Sequence, residues 1–133
     1  MSIEITLEAE TQLTRDNVKT ALKTCGVADI IEKDASFTAS FPDSKMSVLY
    51  RDHLGDSDVL TDNMEEKHWV IGSRMTFRYV VSNYEQCELE MLKFVKKLAE
   101  LSEAFFVVAF QYERVWAIRD QDGLKIIEPA SSD

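Results

Sequence analysis

Apolar residues recur along the chain at two spacings, which predict a mixture of strands and helices. Near the start, Ile3, Ile5 and Leu7 alternate with polar residues, as expected of a strand with one buried and one wet face. The next apolar stripe begins at Val18 and ends at Cys25, with members at i, i+3, i+4 and i+7. This spacing predicts an amphipathic helix.

The middle of the chain predicts a hairpin and a long strand. Residues 35–52 contain two alternating runs joined by the turn sequence PDSK, so we expect an antiparallel pair. A longer alternating run covers residues 69–81. Arg74 and Arg78 project from its polar face, and we expect them to balance nearby carboxylates rather than to bind phosphate.

The last third predicts a second helix and three more strands. An aliphatic stripe from Cys87 to Leu101 indicates the helix, and the nearly continuous apolar run of residues 105–110 is typical of a central strand. Strands at residues 115–118 and 124–127 follow, joined by a turn at Gly123. The predicted order is β-α-β-β-β-α-β-β-β. We therefore expect a single α+β domain over residues 1–133, with a mostly antiparallel sheet and two helices packed on one face.

The charge of the chain is strongly negative and unevenly placed. The formal net charge is −9, and residues 1–66 hold fourteen acids and six bases against ten and nine in residues 67–133. Nucleic acid and anionic membranes repel such a protein, so we expect neither as a direct partner. A basic protein would be attracted.

Much of this charge lies in one stretch, DHLGDSDVLTDNMEE, at residues 52–66, which contains no Lys and no Arg. Apolar residues interleaved with its carboxylates are typical of an interface with a charged rim, although a solvated loop has the same composition. The predicted partner-binding acids are Asp52, Asp56, Asp58, Asp62, Glu65 and Glu66.

No arrangement of residues in the sequence predicts catalysis or a cofactor. Cys25 and Cys87 fall on the apolar stripes, where Cys acts as a small hydrophobic residue. His53 and His68 flank the acidic stretch, but the spacing of its acids does not match a calcium-binding loop, so we predict no metal site. Glu113 is the one candidate acid–base residue, and we interpret it as a turn charge. With neither a signal-peptide pattern nor a long apolar stretch, we expect a cytoplasmic protein.

The C-terminal third resembles a known group of proteins. The segment FFVVAFQYERVWAIRDQDGL, helped by SFPDSKMSVLYRD and the general layout, is similar to bacterial immunity proteins of contact-dependent growth inhibition and related polymorphic toxin systems. The resemblance implies a cytoplasmic inhibitor of a cognate protein toxin. The toxin would be a basic, nuclease-type C-terminal domain, and the inhibitor's carboxylates would stand in place of nucleic-acid phosphates.

The sequence leaves two further points open, a second binding patch and an alternative function. Tyr112 and Glu113, with Trp116, form a second candidate partner-binding patch, although the pattern around Trp116 favours a place in the core. An acidic secretion chaperone that holds an effector segment is the alternative function, and a small enzyme is third. Such chaperones typically open with a helix, whereas this chain opens with a strand. The oligomeric state is not predicted.

Overall fold

The computed structural model of the chain describes residues 2–52, 71–80, 82, 84–110, 114–120 and 122–126. Two helices and eight strands lie in these ranges, so the predicted α+β class is confirmed. The helices are α1 (Arg15–Thr24) and α2 (Tyr84–Leu101). The strands are β1 (Ser2–Glu10), β2 (Ile31–Glu32), β3 (Ser36–Ser40), β4 (Ser47–Asp52), β5 (Ile71–Val80), β6 (Phe106–Phe110), β7 (Arg114–Asp120) and β8 (Gly123–Ile126).

The strands form one sheet in the order β2-β3-β4-β5-β1-β6-β7-β8, and every neighbouring pair is antiparallel. The first strand therefore lies in the interior of the sheet, between β5 and β6. The apolar run that predicted a central strand is β6, which is flanked on both sides and nearly fully buried.

Both helices pack against the same face of the sheet, and the core lies between the two layers. Alternate residues of the strands point towards the helices, as Ile5, Leu7 and Phe77 do. They meet the buried stripe of α2, which includes Cys87 and Phe94. The opposite face of the sheet is called the outer face below. Neither helix in the described ranges has the length and apolarity needed to cross a bilayer.

Helix α1 begins and ends where local chemistry predicts. The Thr14 side chain accepts a hydrogen bond from the backbone N–H of Asn17, and the Asn17 side chain in turn accepts one from the Thr14 backbone. This reciprocal cap satisfies N–H groups that the first helical turn leaves without partners. After the helix, Gly26 has a φ of 94°, a conformation that glycine adopts without a Cβ clash.

The sequence did not predict β2, which pairs only Ile31 and Glu32 with β3. Two residues are too short to show alternation, so the pattern gave no signal for this edge strand. The predicted hairpin is confirmed as β3 and β4, and Gly123 has the positive φ expected of its turn, 107°. Trp116 is 3% exposed and belongs to the core, as its pattern indicated.

A core substitution tests the packing of α2 on the sheet. The Phe94 ring lies 5.5 Å from the Phe77 ring, centroid to centroid, and is fully buried. We expect Phe94→Ala to lower the free energy of unfolding by about 3–5 kcal/mol, because it leaves a cavity between the layers. Leu89→Ala, on the exposed side of the same helix, is the control and should change it by less than about 0.5 kcal/mol. Equal losses in urea unfolding would contradict this packing.

Candidate functional site

Of the predicted partner-binding residues, Asp52 lies in the described part of the chain. The other predicted residues lie outside it: Asp56, Asp58, Asp62, Glu65, Glu66, Tyr112 and Glu113. His53 and His68, weighed as metal ligands, also lie outside it. The structure therefore describes Asp52, the residue at which the acidic stretch leaves β4.

Asp52 is held by an arginine from the other layer of the fold. The Nε of Arg15 donates to Oδ2 of Asp52 over 3.0 Å, and a terminal nitrogen donates to Oδ1 over 3.2 Å. Two parallel bonds from a guanidinium to a carboxylate fix both position and orientation. The two side chains are 21% and 15% exposed, so water screens the pair only in part.

Arg15 also binds the turn between β2 and β3. Its terminal nitrogens donate to the carbonyl oxygens of Lys33 and Asp34 over 3.0 and 2.9 Å. Its guanidinium carbon lies 5.7 Å from the centre of the Tyr50 ring. One side chain therefore joins the start of α1 to the end of β4 and to the preceding turn.

The Tyr50 ring packs against the Arg15 guanidinium. The same ring stacks on Phe37 with 4.6 Å between centroids, and the side chain is buried. Burial raises the pKa of the Tyr50 hydroxyl to about 12, and the Asp52 carboxylate adds to the increase. The tyrosine therefore stays neutral at any physiological pH.

The acidic stretch leaves and rejoins the sheet at neighbouring positions. Asp52, the last residue of β4, pairs with Ser73 near the start of β5. Glu10, at the end of β1, pairs with Ile71. These strand ends meet at the same end of the sheet as the start of α1. We call this end of the sheet the acidic end, and it includes the β2–β3 turn and the end of β7.

Several bases at the acidic end are already engaged. Lys19 contacts Glu32 at 2.8 Å, and Lys125 lies 3.7 Å from both Asp120 and Asp122. Arg15 is committed to Asp52. Exposed bases do occur here, at residues 33 and 51, but exposed acids at residues 16 and 34 match them in number. Residues 53–66 then add five carboxylates and no Lys or Arg.

The two arginines of β5 do balance carboxylates, as the sequence predicted. A terminal nitrogen of Arg74 lies 3.0 Å from Oε2 of Glu8, a residue that is fully buried. Arg78 pairs with Glu4 across the same two strands. Glu8↔Arg74 and Glu4↔Arg78 are also direct partners in the β1–β5 register. The pairs therefore follow from the strand register.

The described residues offer little for catalysis or metal binding. No group of three or more His, Cys, Asp or Glu in the described ranges could hold a metal ion. Burial raises the pKa of both the Cys25 and the Cys87 thiol, which disfavours the reactive thiolate. The buried Glu90 accepts a hydrogen bond from Ser44, in the turn between β3 and β4.

Sequence reasoning missed Arg15, which organises the acidic end. Its main partner is 37 positions away, so no local pattern reveals the contact. One signal was present: a cation in the first turn of a helix opposes the helix dipole and needs another reason to be there. Here that reason is Asp52 and two backbone carbonyls.

No protein-family model matches the chain, and neither the curated proteins nor the solved structures contain a significant match.

Removing the arginine tests whether it holds the acidic end together. We expect Arg15→Met to lower the free energy of unfolding by about 2 kcal/mol, because it removes both hydrogen bonds that the partly buried Asp52 carboxylate accepts from the guanidinium. The exposed Arg51→Met is the control and should have little effect. In a double-mutant cycle measured by urea unfolding, Arg15→Met and Asp52→Asn should be less than additive. Additive effects would show that the pair contributes nothing beyond its separate members.

Alkaline pH tests the burial of the tyrosines. The pKa of Tyr50 and that of Tyr79 are each raised from 10 to about 12, chiefly by burial. The unfolded chain thus loses these protons near pH 10 and the folded chain near pH 12. The stabilisation is complete below pH 10 and is lost as the pH rises from 10 to 12.

We therefore expect the free energy of unfolding to fall steeply above pH 10. The double variant Tyr50→Phe, Tyr79→Phe should be less stable at pH 8 but should show a smaller fall. Tyr84→Phe, at an exposed position, should keep the full pH dependence. Urea unfolding at a series of pH values measures this, and an unchanged slope in the double variant would refute the assignment.

Proposed function

We propose that this chain is an immunity protein that binds and neutralises a cognate protein toxin through the acidic end of its sheet. The partner would be a basic, folded toxin domain of nuclease type. The protein would act in the cytoplasm of the cell that it protects, without catalysis of its own. The resemblance of its C-terminal third to immunity proteins motivates this proposal.

The charge balance at the acidic end is the observation that carries the proposal. Arg15, Lys19 and Lys125 are engaged by carboxylates already described. The five carboxylates of residues 53–66 exceed what the remaining exposed bases at this end could neutralise. Carboxylates that repel one another are stabilised by a basic partner, and the strongest contacts would be charge-assisted hydrogen bonds.

The base of the acidic stretch is suited to a binding surface. Asp52 is fixed by two hydrogen bonds from Arg15, and the pairing of β4 and β5 fixes the two points of attachment. A carboxylate that is already held in place, as Asp52 is, loses less conformational entropy when the partner binds. A concentrated negative charge also accelerates the encounter with a basic protein. Rapid capture matters for an inhibitor, because free toxin acts until it is bound.

Affinity capture identifies the partner. The tagged chain would be used to purify proteins from its source cells, with washes of increasing salt. A single basic, folded domain recovered in near-equal amount, whose enzymatic activity falls on addition of this chain at one equivalent, supports the proposal. Recovery of effectors through unstructured segments would favour a secretion chaperone. The absence of a specific partner at any salt concentration would refute both.

Neutralisation of the acidic stretch tests the surface itself. We expect the triple variant Asp56→Asn, Asp58→Asn, Asp62→Asn to bind the captured partner more slowly, by roughly tenfold at low salt, because electrostatic steering is reduced. The association rate should also depend less on ionic strength. Stopped-flow mixing over a salt series measures both quantities.

A matched control removes the same charge from the other end of the sheet. Asp29, Asp43 and Glu85 are exposed, and the chain order and strand pairing place them at the end of the sheet opposite Asp52. The variant Asp29→Asn, Asp43→Asn, Glu85→Gln therefore has the same net charge as the first variant. If the two variants slow association equally, total charge and not the acidic stretch governs the encounter.

A further inference from the structure

The outer face of the sheet carries a groove that the proposed function does not use. The groove has a volume of about 840 Å³ and extends over β2, β3, β4, β5 and β1. Its volume is within the range of small-molecule sites in proteins, roughly 300–1,000 Å³. It extends towards the turn between β3 and β4, which lies at the end of these strands opposite Asp52.

The strand register arranges the groove in rows. One row runs from Ile31 through Thr38 and Leu49 to Thr76, since these residues are successive partners across the strands. Ile31 is 65% exposed and Leu49 is 39% exposed, although both are large and apolar. The row thus presents two exposed apolar side chains, Ile31 and Leu49, that alternate with Thr38 and Thr76. We call it the apolar strip.

Two cations and two carboxylates line the groove, so its charges are balanced, in contrast to the acidic protein as a whole. Arg78 lies in the next row, and Lys45 lines the groove from the β3–β4 turn. The lining carboxylates are Glu4, which is paired with Arg78, and Asp29. Lys45 has no carboxylate partner among the described residues. It is therefore the available cation of the groove.

Lys45 is held in a strained conformation by a buried network. Its φ is 64°, the one positive φ of a non-glycine residue in the described ranges. The hydroxyl of Ser44 donates to the buried carboxylate of Glu90 and accepts from the backbone N–H of Met46 over 3.1 Å. The Lys45 N–H donates to the Phe41 carbonyl over 3.1 Å. Strain that a buried network maintains is found preferentially at functional sites.

We propose that the groove binds a small amphipathic carboxylic acid, with its carboxylate on Lys45 and its apolar chain over Ile31 and Leu49. The exposed apolar strip accounts for the ligand's chain, and the Lys45 ammonium, which has no carboxylate partner in the described ranges, accounts for its acid group. The open outer side of the groove leaves room for ligands of different length. This site does not depend on the proposed toxin partner.

Titration with dodecanoate below its micelle concentration tests the proposal, followed by calorimetry and by amide chemical shifts. We expect saturable binding, with shifts centred on residues 31, 45 and 49. Decyltrimethylammonium, a cation with a chain of similar length, should bind much more weakly. Equal binding of the two amphiphiles, or no saturable binding of dodecanoate, would overturn the proposal.

Three variants locate the two halves of the ligand. Lys45→Gln and Leu49→Ser should each weaken dodecanoate binding about tenfold, through loss of a charge-assisted contact and of apolar burial respectively. Lys45→Gly should bind dodecanoate as weakly as Lys45→Gln does. It should unfold at a higher temperature than Lys45→Gln, because glycine accepts a positive φ. Its greater stability separates lost binding from lost folding.

Two controls lie on the helical layer. Lys96→Gln and Leu89→Ser change exposed residues of α2 and should leave the affinity unchanged. If these controls weaken binding as much as the groove variants do, the dodecanoate is bound non-specifically and the proposal fails. If Lys45→Gln and Leu49→Ser alter sedimentation and not dodecanoate binding, the groove is an interface between copies of the chain and the proposal also fails.

Discussion

The antiparallel pairing of β1 with β5 sets both faces of the sheet. It joins residues 2–10 to residues 71–80, so its contacts must offset the entropy cost of closing a long loop. The register sends Ile5, Leu7 and Phe77 to the helices and sends Glu4, Glu8 and their arginines to the outer face. A slip of one residue would reverse both faces, placing carboxylates in the core. The Glu8–Arg74 and Glu4–Arg78 pairs disfavour that slip.

The same register separates two kinds of surface. The end of the sheet at which β4 finishes and β5 begins receives the acidic stretch, and Arg15 secures its first carboxylate there. Towards the opposite end, the outer face presents exposed apolar side chains and Lys45, which has no carboxylate partner among the described residues. An acidic end suits a basic macromolecule, whereas an apolar groove with such a cation suits a small acid. We therefore treat them as separate binding surfaces.

The sequence predicted both helices and seven of the eight described strands, because alternation and helical spacing reflect burial directly. The hairpin of β3 and β4, the central position of β6 and the burial of Cys87 were all predictable in this way. Edge strand β2 was not, since two residues carry no period. The Arg15–Asp52 pair was not predictable either, because long-range contacts between charged residues leave no local pattern.

The two candidate sites also differ in how far the sequence reveals them. The composition of the sequence alone reveals the acidic stretch. A partner-binding role remains a prediction for Asp56, Asp58, Asp62, Glu65 and Glu66, and likewise for the patch at Tyr112 and Glu113. The groove is visible only once strands from distant parts of the chain are placed side by side. Ile31 and Leu49 belong to one row because β3 pairs with both of their strands. No spacing along the sequence links them.

Hydrogen exchange of the protein, alone and bound to its captured partner, would show where the partner binds. We expect binding to slow exchange at the acidic end, in residues 10–16, 32–36 and 52–70, and to leave residues 38–49 and 84–101 unchanged. Protection confined to the helices or to the outer face, with residues 52–70 exchanging as in the free protein, would contradict this expectation.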